Sequence, residues 1–403
     1  MIRALADPRF QFALAHPLHV VAAGKAASSM LSAVAANHRL SVATLWGVST
    51  HLADDLDPIA ACQLAGHPLP DDRSVAAGRR AQETADRVGP GETLLLLVSG
   101  GASALLAQPA AGISLADKRR TIEVMMRAGA DIDQLNTVRK HLSDIKGGRL
   151  AMQCAGTTLT LAVSDVVGDD VSVIGSGPGV ADATTWRDAV GALEQFGGNA
   201  YPKAVRERLA AGLAGRVADT PKADDPALVR AQGRVVANRM DAFAGARVAA
   251  EAMGYRVIVV TEPVVGQARQ SALHWHAMVR ALAVTIDGPA CVISGGETTV
   301  RVTGTGKGGR NQEFVLALAS SIQSSEREVM AASVGTDGID GPTEAAGAVV
   351  DRTSLARAAA RGLRAEALLD NNDSHAFFEP LGDLIRIGRT DTNVGDLQVY
   401  LQA

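Results

Sequence analysis

The chain has 403 residues, of which 47% are hydrophobic and 20% charged, and its formal net charge is -4. This length exceeds the size at which a single hydrophobic core usually stops growing, so we expect two domains. The balanced charge and an aromatic content of 3% argue against a nucleic-acid partner, and the apolar runs are too short for a membrane span.

The predicted elements alternate along the chain as βα units do, because short β-branched or leucine-rich runs are followed by alanine-rich stretches. Predicted strands cover residues 18–22, 93–98, 158–163, 256–260, 290–293, 329–334 and 383–387. Predicted helices cover residues 25–37, 75–87, 115–128, 185–196, 201–211, 239–253, 266–284, 311–321 and 353–361. Ser114, with Asp117 three residues later, is expected to cap the helix that begins at residue 115.

The predicted fold is therefore α/β with two α/β domains. Residues 212–232 are rich in Gly, Ala, Pro and charge and lack periodicity, which indicates a domain boundary. We predict an N-terminal domain over residues 1–230 and a C-terminal domain over residues 231–403. The cysteines Cys62, Cys154 and Cys291 form no CxxC pair, so no zinc cluster is expected. Because the N-terminus also lacks an apolar run of the signal-peptide type, we expect a cytoplasmic protein.

Two glycine-rich turns predict anion binding. Glycine can adopt positive φ, so such turns can bring backbone N–H groups against a phosphate. The first turn follows the predicted strand 93–98 and precedes a helix, a geometry that binds anions; it comprises Ser99, Gly100, Gly101, Ala102 and Ser103. The second spans residues 294–313, and its candidate binding residues are Gly295, Gly296, Glu297, Lys307, Gly308, Gly309, Arg310 and Asn311.

The second turn also resembles two nucleotide-binding motifs. It is not a Walker A loop, because Arg301 and Gly308 stand where that motif needs a glycine and a hydroxyl. Gly304, Gly306 and Gly309 satisfy GxGxxG, but the acidic residue expected about 20 positions later would precede the next strand rather than end it. Lys307 and Arg310 suit a multiply charged phosphoryl group better than a dinucleotide.

Further polar clusters follow or connect predicted strands. Residues 135–150 are basic, and Arg139 and Lys146 could bind phosphate, although a solvated helix face is the plainer interpretation. Asp165 and Asp169 follow strand 158–163, where carboxylates could hold Mg²⁺ or orient a hydroxyl, or simply form Asx turns. Asp337, after strand 329–334, has the same two interpretations. Residues 371–374 and 391–396 could be turn chemistry alone.

Taken together, these segments resemble the glycerate 2-kinases that carry a C-terminal MOFRL domain. The resemblance runs nearly end to end and rests on residues 23–27 (AGKAA), 66–71 (GHPLPD), 99–103 (SGGAS), 136–143 (NTVRKHLS), 146–150 (KGGRL), 295–299 (GGETT), 308–313 (GGRNQE) and 335–342 (GTDGIDGP). The chain departs from the family pattern in two places. The segment before Gly24 is shorter than the family usually has, so that the leading helix is shortened or the start codon misplaced. Val166-Val167 stands in place of a Val-Pro type of turn.

The resemblance implies an ATP-dependent kinase that converts D-glycerate to 2-phosphoglycerate, with ATP and Mg²⁺ as cofactors. It implies a Rossmann-like N-terminal domain, a smaller MOFRL domain and a site in the cleft between them. It also implies roles for Lys25 and Arg310, which could place positive charge on the transferring phosphate and on the carboxylate of glycerate. A carboxylate of Asp165, Asp169 or Asp170 is a candidate acceptor of the glycerate hydroxyl proton, with Asp165 taken as the catalytic residue, and the metal ligands are not predicted.

Two other functions stay open from the sequence. An NAD(P)-dependent hydroxypyruvate reductase is suggested by GxGxxG, and a non-catalytic ligand-binding protein is the third interpretation. The expected partners are small molecules, with neither nucleic acid nor membrane, for a monomer or homodimer.

Overall fold

The computed structural model describes residues 1–54 and 56–403, which form two compact α/β units. The first unit comprises Met1–Ser164 and Asp169–Val236, and the second comprises Asp165–Gly168 and Ala237–Ala403. The division into domains 1–230 and 231–403 stays a prediction. The strand that begins at Ala231 lies in the sheet of the first unit, whose last residue is Val236.

The first sheet has the strand order β3-β2-β1-β4-β5-β6. Its strands are β1 (Leu18–Ala23), β2 (Val42–Ser49), β3 (Ala61–Leu64), β4 (Thr93–Val98), β5 (Thr157–Val163) and β6 (Ala231–Ala237). The pairs β1–β2, β1–β4, β2–β3 and β4–β5 are parallel. β1 and β4 are buried along their whole length, which is why they read as continuous apolar runs. The sequence prediction missed β2, β3 and β6, whose partly exposed residues give no such run.

The helices of the first unit pack beside this sheet. They are α1 (Ile2–Leu5), α2 (Gln11–Leu14), α3 (Ala27–Ala35), α4 (Asp72–Arg87), α5 (Ala102–Leu105), α6 (Leu115–Arg127), α7 (Ile132–His141), α8 (Arg149–Gln153), α9 (Trp186–Phe196) and α10 (Lys203–Leu213), with 3₁₀ turns at Pro8–Phe10, Ile174–Ser176, Gly198–Ala200 and Pro226–Leu228. The predicted cap of α6 is confirmed: Ser114 Oγ accepts from Asp117 N at 3.0 Å, and the Asp117 side chain bonds back. Helices α6, α7, α9 and α10 share an apolar core around Trp186 and Val138.

The second sheet has the order β12-β11-β10-β13-β9-β7, with β8 also paired to β9. Its strands are β7 (Arg256–Val259), β8 (Val264–Gln267), β9 (Ala290–Thr299), β10 (Val329–Gly335), β11 (Gly347–Asp351), β12 (Leu384–Ile385) and β13 (Asp396–Gln402). β13 is antiparallel to both β9 and β10, so Asp396 faces Gly296 on one side and Gly335 on the other. The start of β13 therefore lies beside the carboxyl ends of β9 and β10.

The helices of the second unit are α11 (Arg239–Ala252), α12 (Ala268–Ala283), α13 (Arg310–Gln323), α14 (Ser354–Ala359), α15 (Ala365–Asp370) and α16 (Ser374–Phe378), with a 3₁₀ turn at Glu379–Leu381. Helices α12 and α13 bury Trp275 and Phe314 against each other, with ring centroids 5.3 Å apart. The sequence prediction missed β8, β11, β13, α15 and α16. Among the described residues, every helix falls short of the length and hydropathy that crossing a bilayer requires.

Candidate active site

In the first unit, the candidate site lies where the strand order reverses, between β1 and β4. Ala23 and Val98 are register partners at the carboxyl ends of these parallel strands, so the turns that follow them start side by side. Open α/β sheets bind ligands at such a switch point. The structure thereby brings together Lys25 and the predicted turn 99–103.

Lys25 is positioned by its backbone. Its N–H donates to the carbonyl of Gly100 at 2.9 Å, and the next amide, Ala26 N, donates to Ser99 Oγ at 3.0 Å. Gly24 has φ 127°, and a Cβ there would lie 2.1 Å from Ser99 Oγ. The two turns therefore interlock, and only glycine fits between them.

The turn 99–103 is less open than the sequence suggested. Ala102 N donates within the turn to Ser99 O at 3.1 Å, and α5 has only four residues. The ring of His67 lies against Gly101, since a Cβ at Gly101 would come within 3.0 Å of His67 Cδ2. His67 is not among the predicted site residues, although it belongs to the family-like motif of residues 66–71.

A hydrogen-bonded chain connects the turn 99–103 to the basic segment. Lys146 Nζ donates to Ser103 Oγ at 3.1 Å, and Ser103 Oγ lies 2.8 Å from Ser176 Oγ. Ser176 Oγ donates to Asn136 Oδ1 at 3.0 Å, and Arg139 donates to the same oxygen at 3.3 Å. Ser103, Arg139 and Lys146, all predicted binding residues, are thus joined.

The basic segment 135–150 is not a solvated helix face, so that interpretation was wrong. Lys140, His141, Lys146 and Arg149 are buried. Lys140 pairs with Asp182 at 3.0 Å and His141 with Asp219 at 2.9 Å, whereas within the described part of the chain Lys146 donates only to the neutral oxygens of Ser103 and Gly175. Tertiary packing, invisible in the local sequence, decided which of these cations received a carboxylate.

In the second unit, the candidate site lies at the edge where β9 and β10 end and β13 begins. Arg310, the first residue of α13, donates to Asp396 through Nε at 2.7 Å and through its NH2 group at 2.9 Å. Its third nitrogen lies 3.3 Å from Glu297 Oε1. Burial opposes the charge on Arg310, but Asp396 and Glu297 outweigh burial and raise the pKa of this guanidinium above its ordinary value. Arg310 is thus a permanently charged and firmly oriented group.

The N-terminus of α13 is occupied by a carboxylate of the protein itself. Asp340 accepts from the backbone and side-chain N–H groups of Asn311 at 3.0 and 3.2 Å, and from those of Gln312 at 2.9 and 3.0 Å. Burial raises the pKa of Asp340 to about 6, against these four donors, which favour the ionised form. A Cβ at Gly309 would lie 2.3 Å from the Asp340 carboxyl carbon, so this glycine makes room for the cap.

The expectation that the second glycine loop presents its amides to an anion is wrong for residues 303–307. Thr303 N and Gly304 N donate to Asn372 Oδ1 at 2.8 and 2.9 Å, and Lys307 N donates to Asp373 Oδ1 at 3.0 Å. Thr305 N and Gly306 N donate to Asn371. Segment 371–373 therefore anchors the loop, which goes beyond simple turn chemistry.

Several predicted residues of the second unit surround segment 393–396. Asn393 Nδ2 donates to Asp165 Oδ2 at 2.7 Å, and Thr336, which precedes Asp337, donates through both its amide and its hydroxyl to Gly395 O. The remaining predicted glycines are packed closely against other protein atoms. A Cβ added at Gly295 would contact Asp396 O, one at Gly296 would contact Val264 O, and one at Gly308 would contact Ser374 Oγ. Asp169 groups instead with the first unit, where it has φ 54°.

Asp396, Asn393, Asp340 and His67 are the residues that sequence reasoning missed. Asp396 and Asn393 stand in segment 391–396, and the signal available was its polar cluster directly before β13. Recognition of β13 would have placed Asp396 opposite Gly296 and Gly335. The alternating apolar pattern of Leu397, Val399 and Leu401 was present in the sequence.

Among the described residues, the ligand atoms of Glu344, His375 and Glu379 lie within 4.8 Å of one another, close enough to hold a metal ion. Arg386 pairs with both carboxylates, and Lys307 Nζ lies 3.4 Å from Glu344 Oε2. These cations already compensate the negative charge, so the group is an exposed ion-pair network.

Comparison with known proteins agrees with this architecture. Residues 3–210 match the domain of unknown function DUF4147, and residues 290–396 match the MOFRL family. The chain is 35% identical to the glycerate 2-kinase of Pyrococcus horikoshii over 97% of this chain and 88% of that protein. It is 37% identical to a protein of Agrobacterium vitis named "Putative hydroxypyruvate reductase", over 95% of this chain and 86% of that protein.

A solved structure extends the likeness to the fold. The crystal structure of glycerate kinase from Thermotoga maritima superposes with a TM-score of 0.86 at 33% identity, covering 100% of this chain and 95% of that one. The chain therefore belongs to the glycerate kinase family, with an N-terminal DUF4147 domain and a C-terminal MOFRL domain.

Proposed function

We propose that this protein transfers the γ-phosphoryl group of ATP to D-glycerate and forms 2-phosphoglycerate. The observation that carries the proposal is the position of Lys25, which a pair of interlocked turns holds at the switch point of a sheet with Rossmann strand order. Phosphoryl transfer needs little covalent chemistry from the protein, but it needs fixed positive charge at the transferring oxygens.

Lys25 and Arg310 are the proposed charged groups of this reaction. Lys25 suits a phosphate oxygen as a point charge, and the planar Arg310 suits a carboxylate or phosphate. The two-bond contact with Asp396 holds Arg310 in one orientation before substrate arrives. Such preorganisation avoids the cost of reorientation at the moment of reaction.

The other predicted binding residues support these two. Ser103, Arg139 and Lys146 form the polar chain of the first unit, and Asp165 is the proposed acceptor of the glycerate hydroxyl proton. Asn393 orients the Asp165 carboxylate through a bond of 2.7 Å. Because the transition state of phosphoryl transfer is loose, a strongly basic acceptor is unnecessary.

ATP and Mg²⁺ are the proposed co-substrate and metal. The Asp337 carboxylate accepts from Ile339 N at 3.1 Å, and hard oxygen ligands of this kind fit Mg²⁺. Asp337 would hold the ion, which would neutralise charge on the phosphates when bound, whereas Asp165 accepts the hydroxyl proton. The proposal includes a cytoplasmic enzyme that acts as a monomer or homodimer.

The structure weakens the reductase alternative. GxGxxG suggested a dinucleotide, but a pyrophosphate there would need amides that already bond to Asn371, Asn372 and Asp373. The turn after β1, at Gly24 and Lys25, has one glycine and carries a lysine instead.

An enolase-coupled assay with ATP, Mg²⁺ and D-glycerate, without phosphoglycerate mutase, tests the proposal. We expect signal, because only 2-phosphoglycerate enters the coupling reaction. Silence with verified coupling enzymes would reject 2-phosphoglycerate formation. Oxidation of NADH or NADPH by hydroxypyruvate would establish the reductase instead.

A further inference from the structure

Lys118 is a buried lysine that no part of the proposed mechanism uses. It lies in the first turn of α6, and only 4% of the residue is exposed. Its Nζ has no hydrogen-bond partner among the described residues. An ammonium group in this condition is costly to bury, so its presence calls for a reason.

The nearby charges do not neutralise Lys118. Asp144 attracts it, but the Asp144 carboxylate accepts from Ala111 N at 3.1 Å and lies 3.8 Å from Arg208. Arg139 and Arg208 repel it. Burial is the main cause that lowers the pKa of Lys118 to about 7. Repulsion by Arg139 and Arg208 lowers this pKa further, and Asp144 opposes the shift.

Lys146 and Arg139, in contrast to Lys118, do have hydrogen-bond partners, but these partners carry no charge. Lys146 donates to Ser103 Oγ and to Gly175 O, and Arg139 to Asn136 Oδ1, all uncharged acceptors. Burial lowers the pKa of Lys146, and repulsion by Lys118 and Arg139 lowers it further. The three cations are thus close enough to act on one another, and within the described part of the chain none bonds to a carboxylate.

We propose that Lys118, Arg139 and Lys146, with the hydroxyl of Ser103, form an oxyanion site in the first unit for a phosphoryl or carboxylate group. The proposal rests on the proposed function, because that anion would belong to the three-carbon acid or its phosphorylated product. Lys118 and Lys146 are buried, the Nζ of Lys118 has no hydrogen-bond partner, and the printed bonds of Lys146 and Arg139 go to uncharged oxygens, all among the described residues. An entering anion supplies the missing charge.

This arrangement predicts that anion binding takes up protons. Above about pH 7, Lys118 is mostly neutral in the protein without anion, because its pKa is depressed. An anion beside it favours the charged form and raises that pKa, so Lys118 gains a proton when the anion binds. The affinity for the anion should therefore fall as pH rises through this range.

Titration calorimetry on the full chain tests the proposal, with inorganic phosphate, D-glycerate and 2-phosphoglycerate as separate probes. Each titration is run at about pH 8 in two buffers that differ in ionisation enthalpy, so that the difference in heat counts the protons taken up. Phosphate alone reports a phosphoryl site and D-glycerate a carboxylate site. We expect proton uptake with one of them and with 2-phosphoglycerate.

Lys118→Met is the critical variant, and Arg120→Met is its matched control, because Arg120 is an exposed cation of the same helix. Lys118→Met should weaken anion binding about 10-fold or more and reduce proton uptake, with an unchanged or higher melting temperature. Arg120→Met should bind like the wild type. Equal affinity and proton uptake in Lys118→Met would overturn the proposal.

The wild type keeps the proposal testable if Lys118→Met does not fold. Anion binding without proton uptake by the wild type, or no binding at all, rejects the site. Turnover in the coupled assay together with either result leaves the kinase standing and removes only the oxyanion site. Proton-linked anion binding without turnover supports the site and rejects the kinase.

Discussion

Arg310 and Asp396 form a two-bond ion pair, although they lie 86 positions apart in the sequence. The Asp396 side chain is fully buried, and that of Arg310 is 32% exposed. Arg310 begins α13 and Asp396 begins β13, so the pair joins two elements at the edge of the second sheet. The exposed part of the Arg310 guanidinium is accessible to a ligand, whereas its two bonds to Asp396 fix the plane of the group.

Asp396→Asn should therefore impair turnover by releasing the orientation of Arg310. We expect kcat to fall about 10- to 100-fold, since small displacements of a charged group are costly in the transition state. The free energy of unfolding should fall by about 1–3 kcal/mol. Steady-state kinetics and urea unfolding measure both.

Asp383→Asn is the matched control for this variant. Asp383 makes the same two-bond contact with Arg357, at 2.9 and 2.8 Å, elsewhere in the second unit. It should lose stability but keep its kcat. Normal turnover in Asp396→Asn would show that Asp396 only stabilises the fold.

Lys25→Met and Arg310→Ala should each lower kcat about 100- to 1000-fold, because each removes charge aimed at a developing anion. Both variants should fold, as circular dichroism and thermal melting would verify. Lys203→Met is the control, since Lys203 is an exposed residue that pairs with Glu207. Near-normal turnover in both variants would reject the assigned roles.

Gly24→Ala should displace the Lys25 turn. The new Cβ would meet Ser99 Oγ at 2.1 Å and the residue would keep φ 127°, so we expect a stability loss of about 2–4 kcal/mol and a large loss of kcat. Gly91→Ala is the control, because Gly91 has φ 82° but no atom within 4 Å of the added Cβ. It should cost about 1 kcal/mol and leave kcat unchanged. Equal effects of the two variants would contradict the interlocking of the turns.

Asp340 should give the second unit an unusual pH dependence. Its folded pKa of about 6 exceeds the ordinary 3.8, so the folded state binds more protons between these values. The contribution of Asp340 to stability is thus present below about pH 4 and lost as pH rises through about 6. Urea unfolding at several pH values should show this loss in the wild type and not in Asp340→Asn.

Asp188→Asn is the control for the pH series. The Thr185 hydroxyl and amide lower the pKa of Asp188, so its contribution is lost as pH falls rather than as pH rises. This variant should keep the wild-type decline between about pH 4 and 6. A decline of the same size in Asp340→Asn would exclude Asp340 as its cause.

The sequence by itself determined the elements that local patterns control. β1 and β4 lie inside their sheet and bury every residue, so their apolar runs marked them within one residue of their ends. The cap at Ser114 was equally readable, because its partner Asp117 is three residues away. Short motifs such as residues 308–313 also indicated the family, because a motif of fixed spacing can be recognised without knowledge of tertiary contacts.

Only the tertiary structure decided which polar groups are available for chemistry. The glycine loop has the composition of a phosphate loop, yet Asn371, Asn372 and Asp373, more than 60 residues away, take its amides. Lys140 and Lys146 lie in one basic segment, but the fold brings the Asp182 carboxylate to Lys140 and the neutral oxygens of Ser103 and Gly175 to Lys146. Hydrogen-bond partners distant in sequence set the direction and charge of a group, and neither composition nor periodicity encodes them.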